Sequence, residues 1–256
     1  MNRVAFITGA GGYIGGETAR VLAAEGISVA VCDLIPERVE QTVATILEAG
    51  GNAKGYVADV TESASITAAI EQAAADFGRL DIMVHAAGGS ARIAGPEAKY
   101  VHLVDQEDWV IDRVLKVNLY GAFYADRAAA RIMIRQGQGG KIINFGSTVG
   151  INGLCCSADY AASKGGIMSL TKTLAKELGS YKINVVCVAP GVVARPEENH
   201  DNDYMYNTNF LNERCTATDI ADLIAFLVSD KNRFITGQTY VVDGGRSLSM
   251  RGSDQV

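Results

Sequence analysis

The sequence predicts an α/β fold, a doubly wound parallel sheet forming a single domain over residues 1–256. Three observations carry that prediction. Short β-rich runs recur along the chain, longer amphipathic runs separate them, and a glycine cluster follows the first short run. The short runs are nearly continuous in apolar residues, as a sheet covered on both faces requires.

Taken in order, Val4–Thr8 predicts the first strand and Gly15–Glu25 the helix after it. Ser28–Cys32 and a helix over Pro36–Ala49 repeat the unit, as do Ala53–Ala58 and Glu62–Phe77. The Ala68–Ala75 stretch inside the last of these is a strong helix former. Strands at Asp81–His85 and Lys141–Phe145 flank one long helical pattern, Glu107–Arg135. Tyr160–Gly179, Asn184–Val188, Ala217–Ser229 and Thr239–Val242 complete the alternation, which implies βαβ units. Two connections are irregular: Gly88–Gln106, which contains Pro96, and Arg195–Cys215, which is polar and rich in asparagine. Long connections in compact domains commonly serve function, so residues 195–215 are expected to form a substrate lid. Residues 246–256 form a C-terminal tail without clear pattern.

Composition excludes several classes. With 48% hydrophobic and 20% charged residues the chain reads as an ordinary soluble globular protein. A formal net charge of −6 without any basic run argues against nucleic acid as a partner. No apolar stretch approaches the ~18 residues a membrane span needs. The N-terminal residues show no signal-peptide pattern, and five cysteines form neither an even disulfide framework nor C-x-x-C pairs. Reducing cytoplasm is the expected compartment.

Chemistry concentrates in Tyr160-Ala161-Ala162-Ser163-Lys164, with Ser147 thirteen positions earlier. Residues four apart share one helix face, which sets a phenol beside an ammonium. A cation within ~4–6 Å typically lowers a pKa by about 1–3, which would bring a phenol of pKa about 10 toward working pH. Tyr160 is then a candidate general acid/base, and Ser147 a candidate to hold a substrate oxygen beside it. Thr8-Gly9-Ala10-Gly11-Gly12-Tyr13-Ile14-Gly15 lies between strand and helix, the context in which glycines let a pyrophosphate approach the helix N-terminus. Asp33 follows the second strand, eighteen residues after Gly15. A carboxylate there accepts hydrogen bonds from an adenosine ribose diol and repels a 2′-phosphate, favouring NAD over NADP. The plainer alternative is a cap for the helix at Pro36. Arg38 lies a turn further on and is discounted as a 2′-phosphate ligand.

Together these residues make the chain resemble the compact, single-domain branch of the short-chain dehydrogenase/reductase family over residues 4 to 245. The ordered matches are Thr8–Gly15, Asp33, Asp59-Val60, Ala87-Gly88, Asn118, Ser147, Tyr160/Lys164, Pro190-Gly191, and Gly237-Gln238 with Val242-Asp243-Gly244-Gly245. The resemblance implies a Rossmann-type sheet and hydride transfer between a nicotinamide and a secondary alcohol or ketone. It implies Tyr160 as proton donor and acceptor, and Lys164 lowering its pKa and binding the nicotinamide ribose. Ser147 would hold the reacting oxygen, and Asn118 would tether a water linking Lys164 to solvent. Asp59 would bond the adenine amino group with Val60 against the ring. The implied cofactor set comprises Gly9, Gly11, Gly12, Tyr13, Ile14, Gly15, Asp33, Leu34, Asp59, Val60, Ala87, Gly88, Tyr160, Lys164, Pro190, Gly191, Val193 and Arg195. Relatives commonly assemble as homotetramers, and a homotetramer or homodimer is expected here.

Departures from the family pattern are informative. Tyr13 occupies the usual middle glycine position, which predicts a local change in the phosphate turn. His85-Ala86-Ala87-Gly88 stands where the family usually reads N-N-A-G, so the central strands must be pinned differently, and His85 is expected to be structural. Arg195 falls where many members place a threonine. Three readings stay open for it: donating to the nicotinamide carboxamide, meeting an anionic substrate group, or bracing the lid. Ser90, Arg92, Ile151, Asn152, Leu154, Tyr204, Tyr206 and Asn207 are the candidate substrate residues. Their polarity favours a hydroxylated, sugar-like or polyol-like substrate. Cys155 and Cys156 lie between Ser147 and Tyr160, either as thiol-sensitive or as packing residues. His102 and His200 have no partners at useful spacing, so no catalytic metal is indicated.

Competing functions are a 3-oxoacyl thioester reductase, which fits Asp33 poorly, and a hydroxysteroid dehydrogenase. An epimerase or dehydratase is suggested only by the glycine spelling. A dinucleotide-binding sensor without turnover would show damage at Ser147, Tyr160 or Lys164, and all three are intact.

Overall fold

The computed structural model describes residues 2–95, 97–195 and 209–248. Seven strands form one parallel sheet: β1 (Val4–Thr8), β2 (Ser28–Asp33), β3 (Ala53–Val57), β4 (Ile82–His85), β5 (Gly140–Phe145), β6 (Ile183–Pro190) and β7 (Thr239–Val242). Their order is β3-β2-β1-β4-β5-β6-β7, and every pair is parallel. The chain leaves β1 toward β2 and β3, then returns to the other side of β1. That reversal between β1 and β4 opens the crevice in which doubly wound sheets bind ligands, at the carboxyl ends of the strands.

Among the described residues eight α-helices accompany the sheet: α1 (Tyr13–Ala24), α2 (Pro36–Glu48), α3 (Ser63–Phe77), α4 (Asp108–Leu115), α5 (Gly121–Gln136), α6 (Val149–Asn152), α7 (Ala158–Leu178) and α8 (Ala217–Val228). Alternate strand residues divide between the two faces. Phe6, Ala30, Cys32 and Met83 join one buried cluster with α3 and α5, whereas Ala5, Ile7, Val29 and Val31 join another with α1 and α8. This period-2 partition explains why the strands read as unbroken apolar runs.

One helix departs from expectation. Glu107–Arg135 is helical from Asp108 onward, as expected, but α4 and α5 are joined by a π-helical turn, Lys116–Tyr120, with Asn118 at its centre. The apolar pattern runs through this turn, so periodicity does not reveal it. π turns inside helices frequently mark functional sites. A short helix absent from the sequence reading, α6, fills part of the Ser147–Tyr160 connection. Residues 196–208 of the expected lid and 249–256 of the tail lie outside the described residues. The two ends of the lid segment meet in a bridge between Val193 and Cys215, with Ala194 N–H donating to the Cys215 carbonyl at 2.8 Å.

Candidate active site

The glycine turn is set by sterics. A Cβ on Gly15 would stand 2.2 Å from the Gly9 carbonyl oxygen, and one on Gly9 would stand 2.7 Å from the Ala87 Cα. Gly9 also has a φ of +65°, in the left-handed region that glycine enters without strain. Gly12 precedes α1 without a side-chain cap, so the first N–H groups of that helix are left for an anion. Tyr13 opens α1 and lines the cleft, which is the form the altered glycine spelling takes.

Asp33 ends β2 and is held on both carboxylate oxygens. Gly11 N–H donates to Oδ2 at 3.0 Å and Ile35 N–H to Oδ1 at 3.2 Å. Arg38, discounted on sequence, lines the cleft near Asp33; a Cβ on Gly11 would stand 2.5 Å from the Arg38 Cβ and 3.0 Å from Asp33 Oδ2. The first turn of α2 brings it there. Just past the neighbouring strand β3, Asp59 accepts from the Thr61 N–H and hydroxyl at 2.8 and 2.7 Å through a single oxygen, Oδ1.

His85 replaces the missing amides in a specific way. Its Nδ1 lies 3.0 Å from the Thr8 hydroxyl, which also accepts the Ala87 N–H at 3.2 Å, so β1, β4 and the following turn are tied through one oxygen. Nε2 is buried and makes no hydrogen bond. Burial, then the nearby Lys164, push the imidazole down to about 3, so it stays neutral and structural.

At the far end of the cleft stand Ser147, Tyr160 and Lys164. Ser147 Oγ accepts the Val149 N–H at 3.1 Å, and its side chain favours the ionised form of the Tyr160 phenol. Lys164 is buried; its Nζ donates to the Phe145 carbonyl at 2.8 Å and lies 5.7 Å from the Tyr160 ring centroid. Burial lowers Lys164 to about 8. The direction expected for Tyr160 is corrected here. Its phenol is pushed up, because burial outweighs the lowering by Ser147, and Tyr100 adds to the rise. Lys164, whose ammonium donates to the Phe145 carbonyl and lies 5.7 Å from the ring centroid, does not reverse that rise.

Asn118 stands behind the cleft rather than in its lining. Its Oδ1 accepts the Gly89 N–H at 2.9 Å, while Nδ2 donates to the Gly89 carbonyl at 2.9 Å and to Ser163 Oγ at 3.0 Å. The side chain is thereby committed to clamping the turn after β4 to α7. Gly88 is required by the same packing, for a Cβ there would stand 2.5 Å from Asn118 Oδ1 and 3.3 Å from Lys164 Nζ.

A cleft of about 670 Å³ joins these groups, and Ile14, Leu34, Val60, Ala87, Pro190, Gly191, Val193 and Arg195 are further expected residues in its lining, whereas Gly11, also expected, does not line it and instead holds Asp33 through its N–H. Gly191 packs against Asp243, which a Cβ would approach to 2.7 Å. Of the candidate substrate residues Arg92 reaches the lining, but Ser90, Ile151, Asn152 and Leu154 do not. Ser90 pairs with the Tyr100 hydroxyl, and Ile151 and Leu154 are exposed. Tyr204, Tyr206 and Asn207 lie outside the described residues. Sequence reasoning missed Arg113 and Ile93, which also line the cleft. The apolar pattern of α4 carried no signal for Arg113.

A cradle that Cβ atoms would fill, an uncapped helix terminus and carboxylates at the ends of β2 and β3 fit a dinucleotide. Residues 9–247 match the family profile described as enoyl-(acyl carrier protein) reductase. The chain belongs to the short-chain dehydrogenase/reductase family: an oxidoreductase working between CH–OH and carbonyl groups with a nicotinamide cofactor. It is 39% identical over 254 residues to the short-chain reductase protein NovJ of Streptomyces niveus, covering 95% of this chain and 93% of that one. It is 37% identical to 2-(S)-hydroxypropyl-CoM dehydrogenase 3 of Xanthobacter autotrophicus, covering 95% and 96%. A crystal structure of a dehydrogenase/reductase from Sinorhizobium meliloti 1021 superposes with a TM-score of 0.85 at 32% identity, covering 95% and 94%. No helix among the described residues is long and apolar enough to cross a membrane.

Proposed function

We propose that the protein is an NAD-dependent dehydrogenase of a secondary alcohol, with Tyr160 as general acid/base. The observation that carries this reading is the convergence of Ser147, Tyr160 and Lys164 at one end of the glycine-cradled cleft. The nicotinamide, when bound, supplies the hydride acceptor or donor. In oxidation the Tyr160 oxygen takes the hydroxyl proton, and in reduction it returns that proton. Ser147, whose Oγ already accepts the Val149 N–H, keeps its own O–H for donation to the substrate oxygen. Proton transfer from a positioned group is typically worth about 10²–10⁴-fold, and preorganised donors at the oxygen add to it. Lys164 holds positive charge beneath the phenol and, with Asn118, fixes the turn that shapes the ribose site.

Asp33 supports NAD, since its fixed carboxylate faces the place of a 2′-phosphate. Arg38 favours the second reading, an NADP-dependent 3-oxoacyl thioester reductase, because it lines the same part of the cleft. The substrate we infer is hydroxylated and bears a negative group, as Arg92, Arg113 and Arg195 all line the cleft. A homotetramer built through α5, α7 and the β7 edge is part of the proposal, supported by Tyr120 at the end of the π turn, Phe123 three residues on in α5, and Val241 on β7, each more than 40% exposed. Light scattering tests it, and a monomer would refute it. Five free thiols support a reducing, cytoplasmic setting.

The test is reduction of NAD⁺ or NADP⁺, followed by absorbance, across secondary alcohols: polyols, sugar acids, neutral sugars, hydroxysteroids and 3-hydroxyacyl thioesters. Turnover with NAD⁺ on an anionic hydroxy compound supports the reading. Turnover confined to NADP⁺ and thioesters replaces it with the second.

A further inference from the structure

Spacing along the chain gives His102 no ligand partner, but the fold supplies one. One ring nitrogen of His102 and the sulfurs of Cys155 and Cys156 all lie within 4.8 Å of one another. We propose that these three side chains form a binding site for a thiophilic divalent cation, with Zn²⁺ as the representative ion. The proposal rests on this cluster alone and stands whatever the substrate or nicotinamide.

Ligand chemistry selects the class of ion. Two thiols and an imidazole suit zinc and softer cations, whereas Mg²⁺ and Ca²⁺ require oxygen ligands, which the cluster does not contain. Geometry agrees. Two thiolates on a tetrahedral zinc, each with a Zn–S bond of about 2.3 Å, stand about 3.8 Å apart; here the two sulfurs are 3.5 Å apart. At that separation both are free thiols, since a disulfide would hold them at about 2.05 Å. Cys156 adopts a φ of +62°, a left-handed conformation that few residues other than glycine take. His102 and Cys155 are exposed and Cys156 half-buried, so an ion can enter and its fourth position faces solvent.

Location gives the site a consequence. His102 lies in the β4–α4 connection, two residues after Tyr100, and Tyr100 both pairs with Ser90 and raises the Tyr160 phenol. Cys156 immediately precedes Ser157 at the start of α7, the helix that carries Tyr160. A cation bound by all three would staple the β4–α4 connection to the foot of α7, across two walls that flank the reaction centre.

The experiment uses the full chain, reduced and freed of metal, titrated with Co²⁺ as a spectroscopic probe and then with Zn²⁺ as competitor. The expected result is one equivalent of Co²⁺ producing thiolate-to-metal charge-transfer absorption that Zn²⁺ abolishes. Cys155→Ser and Cys156→Ser should each lose most of that absorption, and Cys215→Ser should leave it unchanged. Losing even an outer-shell partner weakens a site about 10–100-fold, so His102→Ala and His102→Gln should each weaken Co²⁺ binding by about tenfold or more. A thermal melt of each variant shows that it is folded. Absence of the absorption in the wild-type chain would overturn the proposal. So would absorption that survives both histidine substitutions with unchanged affinity, because the site would then be a bare dithiol. Absorption that persists in both cysteine variants would place the thiolates elsewhere and overturn it equally.

Discussion

The Lys164 ammonium donates to the Phe145 carbonyl at 2.8 Å, which ties the middle of α7 to the carboxyl end of β5, two residues before Ser147. The lysine therefore fixes the spacing between Ser147 and Tyr160 as well as supplying charge. Burial holds it at about 8. The unfolded chain keeps this proton up to about 10.4, so between those values the unfolded state binds more protons and stability rises with pH. Lys164→Met should abolish that rise while removing activity. Denaturant midpoints from pH 7.5 to 10 should show the wild-type chain gaining on the variant, by an amount on the order of 3 kcal/mol. Parallel curves would contradict the burial of a charged lysine.

Ser147 is the one group that lowers the Tyr160 phenol against burial. Ser147→Ala should therefore shift the alkaline rise of alcohol oxidation to higher pH as well as reduce its plateau, which a pH–rate profile of kcat/KM would show. A reduced plateau with an unmoved profile would leave Ser147 only positioning substrate.

His85 is neutral in the folded protein because burial holds it at about 3. Between roughly pH 6.5 and pH 3 the unfolded state binds its proton and the folded state does not, so this group removes stability as pH falls. Asp126 works in the opposite sense. Burial raises it to about 7 against the lowering by its Asn144 hydrogen bond, so it removes stability as pH rises from about 3.8 to 7. Asp126→Asn should stabilise the protein at pH 8 relative to pH 5, measured as the difference in denaturant midpoint from the wild type.

Asp33 and Arg38 face the same end of the cleft with opposite preferences. Asp33→Ser should raise kcat/KM for NADP⁺ relative to NAD⁺ by tenfold or more, about 1.4 kcal/mol, and adding Arg38→Ala should reverse most of that gain. An NADP⁺ preference already present in the wild type would overturn the role given to Asp33.

The inner strands were legible because they are buried on both faces and so read as nearly unbroken apolar runs, such as Val4–Thr8, whereas the edge strands β3 and β7 are half-exposed and more mixed. The cleft was legible because residues such as Gly15 and Asp33 occupy turns whose sterics and charge leave a mark in sequence. The π turn at Asn118 was not, because the hydrogen bonds its side chain exchanges with Gly89 and Ser163 are long-range and leave the apolar period intact. The direction of the Tyr160 shift was also hidden. Spacing sets Lys164 on the same face, but only the folded packing shows the phenol buried and the ammonium turned to Phe145. Arg38, Arg113 and the meeting of His102 with Cys155 and Cys156 likewise depend on segments brought together from far apart.

The most direct test is Tyr160→Phe, assayed for turnover and, separately, for NADH binding by fluorescence. A positioned acid/base predicts a fall in kcat of about 10²–10⁴-fold or more with NADH affinity retained. Turnover within a few-fold of the wild type, with binding intact, would contradict the assignment of proton transfer to Tyr160.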